Sequence, residues 1–226
     1  MDLRRAVAGL AGASLLGIVP VGVAAPARAA ASTIEGRIST SRAVYNQRFT
    51  ISGTTTCDGV GAPGTVTVHR RFNGAPADAW KQLGEDSAAT FSFSLRARGN
   101  AEYSVGYPGS GSCVKDDEGA PQQVFRRIPI RINDRLVFSG SVRPAWKRKP
   151  VVIQVRRDGR WVKWRTVRTT RRGTWSKQLY ARRGSRTHFR AVVRRTTRFQ
   201  KTPSRRVYTY YTSGRVGHSS AGQSSG

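Results

Sequence analysis

A near-repeat inside the chain constrains its fold more than any other feature. Tyr45-Asn46-Gln47-Arg48-Phe49-Thr50-Ile51-Ser52-Gly53 aligns without gaps on Ile132-Asn133-Asp134-Arg135-Leu136-Val137-Phe138-Ser139-Gly140, at an offset of 87 residues. Four of those nine positions are identical and the apolar positions match. At the same offset Val66 and Val68 meet Ile153 and Val155. After a short indel Phe91 and Leu95 meet Trp175 and Leu179, and Tyr103 and Val105 meet Phe189 and Ala191. A unit of this length is too long for a solenoid repeat and is the size of one small β domain. The chain of 226 residues holds two such units and little else.

The pattern inside each unit is that of strands. Apolar residues alternate at Phe49 and Ile51, at Val66 and Val68, at Phe91, Phe93 and Leu95, and at Tyr103, Val105 and Tyr107. Period two places alternate side chains on one buried face. Turn signals separate these runs: Gly59-Val60-Gly61, Asn73-Gly74, Gly99-Asn100, Asp158-Gly159 and Arg172-Gly173. No window after the N-terminal segment carries a helical stripe. Short strands with turns at such intervals predict an all-β chain of two tandem immunoglobulin-like β-sandwich domains. The strand ending in Ser-Gly, the Val-x-Val strand, the Trp after a turn and then Gly173-Thr174-Trp175-Ser176 resemble the bacterial immunoglobulin-like repeats of secreted actinobacterial proteins. The resemblance covers residues 33 to 212. It implies this fold and an extracellular setting, and it brings no catalytic residues with it. The cysteines and the charge of the second copy depart from the usual pattern.

The N-terminus reads as an address. Met1-Asp2-Leu3-Arg4-Arg5 is basic, residues 6 to 25 are almost wholly apolar, and Ala27-x-Ala29 is a small-x-small site, with Ala25-x-Ala27 as a second one. That order predicts a secretory signal peptide over 1–29, cleaved after Ala29. The alternative is an uncleaved membrane anchor, disfavoured by a Gly/Ala-rich run that ends near Pro20. The units then span 30–127 and 128–212, and a Gly/Ser-rich tail over 213–226 is expected to be disordered. Cys57 and Cys113 are the only cysteines, and both lie in the first unit. An even count in a secreted chain predicts a disulfide, with two free thiols as the alternative. In a sandwich the two residues fall in loops at one end.

Charge then separates the units. The chain has 40 Lys+Arg against 12 Asp+Glu, a net charge of +28. Residues 30–127 are close to neutral, with 11 basic and nine acidic residues, whereas 128–226 hold 26 basic and two acidic. A coding bias toward Arg would act on both units. Like charges at this density destabilise a compact state, so a compensating anion is expected. The hairpin Val151 to Val167 shows one arrangement. A type I′ turn at Asp158-Gly159 pairs Arg157 with Arg160, Arg156 with Trp161, Val155 with Val162, and Ile153 with Trp164. Ile153, Val155, Val162 and Trp164 then face the core. Arg156, Lys163, Arg165, Arg190 and Arg194 surround Trp161 on the outer face, with Arg156 beside the ring as a cation–π partner. A second expected cluster lies in loops: Trp146, Lys147, Arg148 and Lys149 in one, Arg194, Arg195 and Arg198 in the other. Arg forks match phosphate and carboxylate oxygens, and aromatic rings stack on bases or sugars.

Several motifs carry nothing further. Gly59 to Gly64 matches GxGxxG but lies between strands, with no helix to follow it. Asp116-Asp117-Glu118, with Asp58, lacks the ordered spacing of a calcium loop and reads as a solvated acidic loop. His69, His188 and His218 share no ligand spacing, and no nucleophile elbow is present. No cofactor, metal, enzymatic activity or small-molecule substrate is inferred. The expectation is a non-enzymatic secreted module whose basic second domain binds anionic polymer: wall phosphopolymer, acidic polysaccharide, extracellular DNA or an anionic membrane surface. The alternative is a structural or adhesive module that binds an acidic protein partner.

Overall fold

The computed structural model describes residues 29–212 and 215–220. The expected signal segment, apart from Ala29, and the last residues of the tail lie outside them. Among the described residues every regular element is a strand, and the strands build two immunoglobulin-like β-sandwiches, each around its own core.

The first sandwich uses β1 (Ser32–Ile38), β2 (Arg42–Val44), β3 (Arg48–Cys57), β4 (Val60–Gly61), β5 (Thr65–Phe72), β6 (Lys81–Ser87), β7 (Phe91–Arg96), β8 (Ala101–Tyr107) and β9 (Asp116–Phe125). One sheet sets β3 between β1 and β7, with β4 extending it. The other runs β2-β9-β8-β5-β6. The alternating residues Phe49, Ile51, Val66, Val68, Phe91, Phe93, Tyr103, Val105 and Tyr107 all turn inward and are buried. Cys57 at the end of β3 is bonded to Cys113 in the β8–β9 loop, Cα–Cα 5.8 Å, joining the two sheets at one end. The bond spans 56 positions, and loop closure of that size stabilises the fold by about 4 kcal/mol in the chain-entropy account. The acidic run is not a solvated loop. It opens β9, where Asp116 Oδ2 accepts the Ile34 N–H at 2.9 Å and Glu118 Oε2 accepts the Gly36 N–H. These carboxylates satisfy backbone donors of β1, which has no ladder on that side.

The second sandwich uses β10 (Ile130–Ile132), β11 (Val137–Ser141), β12 (Pro150–Arg157), β13 (Arg160–Arg168), β14 (Thr174–Gln178), β15 (Thr187–Val193), β16 (Thr202–Pro203), β17 (Val207–Thr212) and β18 (Arg215–Ser220). Its sheets run β10-β11-β14 and β13-β12-β15-β17-β18, with β16 also on β15. Phe138, Val151, Ile153, Val155, Phe189, Ala191 and Val193 fill the core. Residues 215–220, expected within a disordered tail, form β18 antiparallel to β17. The Tyr- and Thr-rich β17 suits a strand, and β18 pairs the backbone edge that β17 would otherwise leave open.

The β12–β13 hairpin turns as the sequence predicts, with positive φ at both Asp158 and Gly159. The pairs Arg157–Arg160, Arg156–Trp161 and Val155–Val162 form. The expected Ile153–Trp164 pair does not. A β-bulge shifts the register between Ile153 and Gln154, so that Gln154 faces Lys163 and Ile153 faces Arg165. Trp164 is the extra residue and packs its ring on Tyr180 and Phe189 at the core margin. The corresponding hairpin of the first sandwich is also bulged, between Val68 and His69, and its extra residue Leu83 likewise packs on the core. Val162, on the outermost ladder of the sheet, remains 37% exposed.

The two sandwiches are docked through the loop between β15 and β16. Phe199 is 6% exposed and belongs to the core of the first sandwich. Asn100, 2% exposed, receives this loop. Its N–H donates to the Arg198 carbonyl at 2.8 Å, its Nδ2 donates to the Thr197 carbonyl at 2.9 Å, and its Oδ1 accepts the Val124 N–H at 2.7 Å. Arg126, in the connecting segment, lies over Phe199 on one side and Trp146 on the other, 4.2 and 4.5 Å from the ring centroids. Its Nη1 donates to the Pro144 carbonyl at 3.1 Å. Burial holds this guanidinium at a pKa of about 10.

Candidate functional site

The outer face of the β13-β12-β15-β17 sheet concentrates cations around aromatic rings. Strand alternation points Trp161 and Lys163 from β13, Gln154 and Arg156 from β12, His188 and Arg190 from β15, and Tyr208 from β17 to this side. Cross-strand register sets Gln154 beside both Lys163 and Arg190, and His188 beside Tyr208. Arg190 lies over Trp161, 4.3 Å from the ring centroid, and its Nε donates to Gln154 Oε1 at 2.8 Å. The cation on Trp161 is thus Arg190 and not Arg156. Arg156 flanks the ring, and its Nε donates to the Gly159 carbonyl at 3.4 Å. Stack and hydrogen bond fix the Arg190 guanidinium through Nε, and its two Nη groups make no hydrogen bond among the described residues, an arrangement from which an Arg fork binds oxyanions at low ordering cost.

His188 extends the patch. Its ring lies 5.8 Å from that of Tyr208, which carries the Arg186 guanidinium at 5.1 Å. Its Nδ1 is covered and has no partner among the described residues. Burial, and then the charges of Arg206, Arg156 and Arg186, hold its pKa below the ordinary histidine value. Burial likewise lowers the pKa of Arg190. Among the described residues no Arg or Lys of the second sandwich makes an ion pair with a carboxylate.

The remaining sequence-predicted residues lie elsewhere. Arg165 leaves the patch, because the bulge sets it opposite Ile153 on the core-facing side of the edge strand. Arg194 and Arg195 are exposed in the loop that docks the sandwiches. Arg198, in the same loop, is turned onto the first sandwich, where its guanidinium lies 3.4 Å from the Phe72 ring centroid. Trp146, expected as an exposed aromatic, is 3% exposed. Its indole fills the core, its Nε1 donates to the Pro150 carbonyl at 3.0 Å, and Lys149 lies over its ring. Lys147, Arg148 and Lys149 are exposed. The sequence reading missed Arg186, His188, Arg206 and Tyr208 as members of the patch. Alternation along β15 and β17 points His188 and Tyr208 outward, but only the β15–β17 pairing brings them together. Among the described residues no cluster of His, Cys, Asp and Glu is arranged to hold a metal ion.

No family model matches this chain, and no curated protein matches it. Among solved structures it is similar to the FN1–FN3 domains of chicken CNTN1, at 11% identity and a TM-score of 0.27, with 80% of this chain and 64% of that chain covered. The chain thus spans a little under two thirds of the length of that structure.

Proposed function

We propose that this chain is a secreted, non-enzymatic binding module whose second sandwich attaches to an anionic polymer of the cell envelope or its surroundings. The outer face of the β13-β12-β15-β17 sheet is the binding surface. The observation that carries this reading is Arg190, fixed by its stack on Trp161 and its bond to Gln154, with Arg156 and Lys163 on the same face and no carboxylate partner on the patch among the described residues. A surface whose charge served only solubility would need no such fixation. The charge split between the units supports the same reading, since 26 of the basic residues lie in 128–226. Phosphopolymers, acidic polysaccharides and DNA share the feature this face recognises, a line of closely spaced oxyanions. Attraction is mainly electrostatic, so affinity falls steeply with salt and selectivity among polymers is modest.

The test titrates the full chain with duplex DNA over a salt series. Log affinity falls linearly with log salt, and the slope reports the phosphates engaged, at about 0.9 per phosphate. The triple variant Arg156→Gln, Lys163→Gln, Arg190→Gln weakens binding and reduces that slope by about 2 to 3. Absence of binding to any polyanion at low ionic strength overturns the proposal. Saturable one-to-one binding of an acidic protein, with no polymer binding, replaces it with a protein-adhesion module.

A further inference from the structure

The opposite sheet of the second sandwich carries a cleft that the basic face does not explain. Its volume is about 770 Å³, within the range of about 300–1,000 Å³ typical of small-ligand sites. The floor is made by β10, β11 and β14. Register sets Arg131 beside Ser139, Ser139 beside Ser176, and Ser141 beside Thr174. An exposed sheet face ordinarily carries long polar side chains. Here four short hydroxyl side chains leave the floor sunken between larger neighbours. Arg131, Arg143 and Arg168 line it. Arg131 Nε donates to Ser139 Oγ at 3.1 Å, which draws its guanidinium across the floor.

Among the described residues the cleft holds no acidic side chain. The second unit has two, Asp134 and Asp158. Asp134 contacts His218 Nε2 at 3.1 Å, and Asp158 forms the hairpin turn. The one aromatic lining the cleft, Trp175, is 4% exposed, too covered to stack on a nucleobase. Guanidinium forks donate two parallel hydrogen bonds to a carboxylate or sulfate group. Serine and threonine hydroxyls both donate and accept, and so match the hydroxyls of a sugar ring.

We propose that this cleft binds an acidic sugar unit, its anionic group held by Arg131, Arg143 and Arg168 and its ring hydroxyls by the Ser139, Ser141, Thr174 and Ser176 floor. The site is separate from the sheet face of the polyanion reading and does not require it. It gives the module a selectivity that a charged face alone lacks.

Calorimetric titration of the full chain with short oligogalacturonate, and with the uncharged galactose oligomer as control, tests it. The acidic oligomer binds and the neutral one does not. The variant Arg131→Gln, Arg168→Gln loses about tenfold or more in affinity for the acidic oligomer. So does Ser139→Val, Thr174→Val, which removes two floor hydroxyls and leaves β-branched side chains that suit strands. Both keep their duplex DNA affinity within about twofold, because neither changes a side chain of the sheet-face patch. The sheet-face variant Lys163→Gln, Arg190→Gln gives the reverse pattern. No binding of oligogalacturonate overturns the inference, as does binding lost only in the sheet-face variant. The DNA arm judges the polyanion reading on its own.

Discussion

Gly53 and Gly140 occupy the same place in the two sandwiches, and one contact explains both. Gly53 pairs with Phe91 and Gly140 with Trp175. A Cβ on Gly140 would stand 2.7 Å from the Pro129 carbonyl oxygen and 2.9 Å from the Trp175 ring. A Cβ on Gly53 would meet the Glu35 carbonyl and the Phe91 ring in the same way. The Ser-Gly that ends each aligned segment thus records close approach of backbone and aromatic ring. Gly140→Ala is expected to destabilise the protein by about 1–3 kcal/mol through overpacking, read by urea denaturation; a neutral variant would contradict the contact. His188 supplies a pH prediction. Its folded pKa lies below the ordinary 6.5, so the unfolded chain binds the proton more readily. Stability tied to this group is therefore complete above about 6.5 and declines as pH falls toward the folded pKa. A polyanion on the patch would offset the arginine charges and raise that pKa. NMR titration of the His188 ring with and without DNA checks this. An unchanged pKa in the bound state would remove His188 from the interface.

The loop between β15 and β16 shows what an element's sequence reveals and what it withholds. Arg194-Arg195-Thr196-Thr197-Arg198-Phe199-Gln200-Lys201 has the composition of an exposed basic grip. Its docking on the first sandwich, which buries Phe199 and leaves Arg194 and Arg195 exposed, depends on Asn100 and Phe72, about a hundred residues earlier, and no local pattern encodes that meeting. Trp146 misleads for the same reason: a Trp among Arg and Lys reads as exposed until Arg126 and Pro150 close around it. The strands themselves were legible, because burial on one face enforces period two. The hairpin turn was legible because Asp-Gly suits two positive φ values. The bulge was not, since Trp164 and Leu83 are apolar in either register. Phe199→Ala is expected to cost about 3–5 kcal/mol and to uncouple the sandwiches. In calorimetry one cooperative transition becomes two. A single transition at an unchanged temperature would show that the docked loop carries little energy.

At the scale of the whole molecule, the charge is a standing cost that the fold does not relieve internally. Among the described residues, the one ion pair between an Arg or Lys and a carboxylate, Arg71–Glu102, lies in the near-neutral first sandwich. The second sandwich holds its cations apart with aromatic stacks and backbone carbonyls, which fix positions without cancelling charge. Repulsion over that surface is screened by salt, with a Debye length of about 30 Å at 0.01 M and about 8 Å at 0.15 M. Two consequences separate generic screening from polymer binding. Raising salt alone is expected to raise the unfolding temperature, because like-charge repulsion weakens in the compact state. Adding a polyanion at low salt is expected to raise it further, because a ligand that prefers the folded arrangement stabilises by mass action. That second increment is expected to vanish as salt rises, since counterion release no longer favours the complex. The triple variant of Arg156, Lys163 and Arg190 is expected to melt higher than the parent at low salt and to gain less from polyanion. If the parent melts lower with added salt, attraction outweighs repulsion and the cations stabilise the fold directly. If polyanion lowers its melting temperature, the unfolded chain is the better ligand, and the arrangement of the sheet face plays no part in recognition.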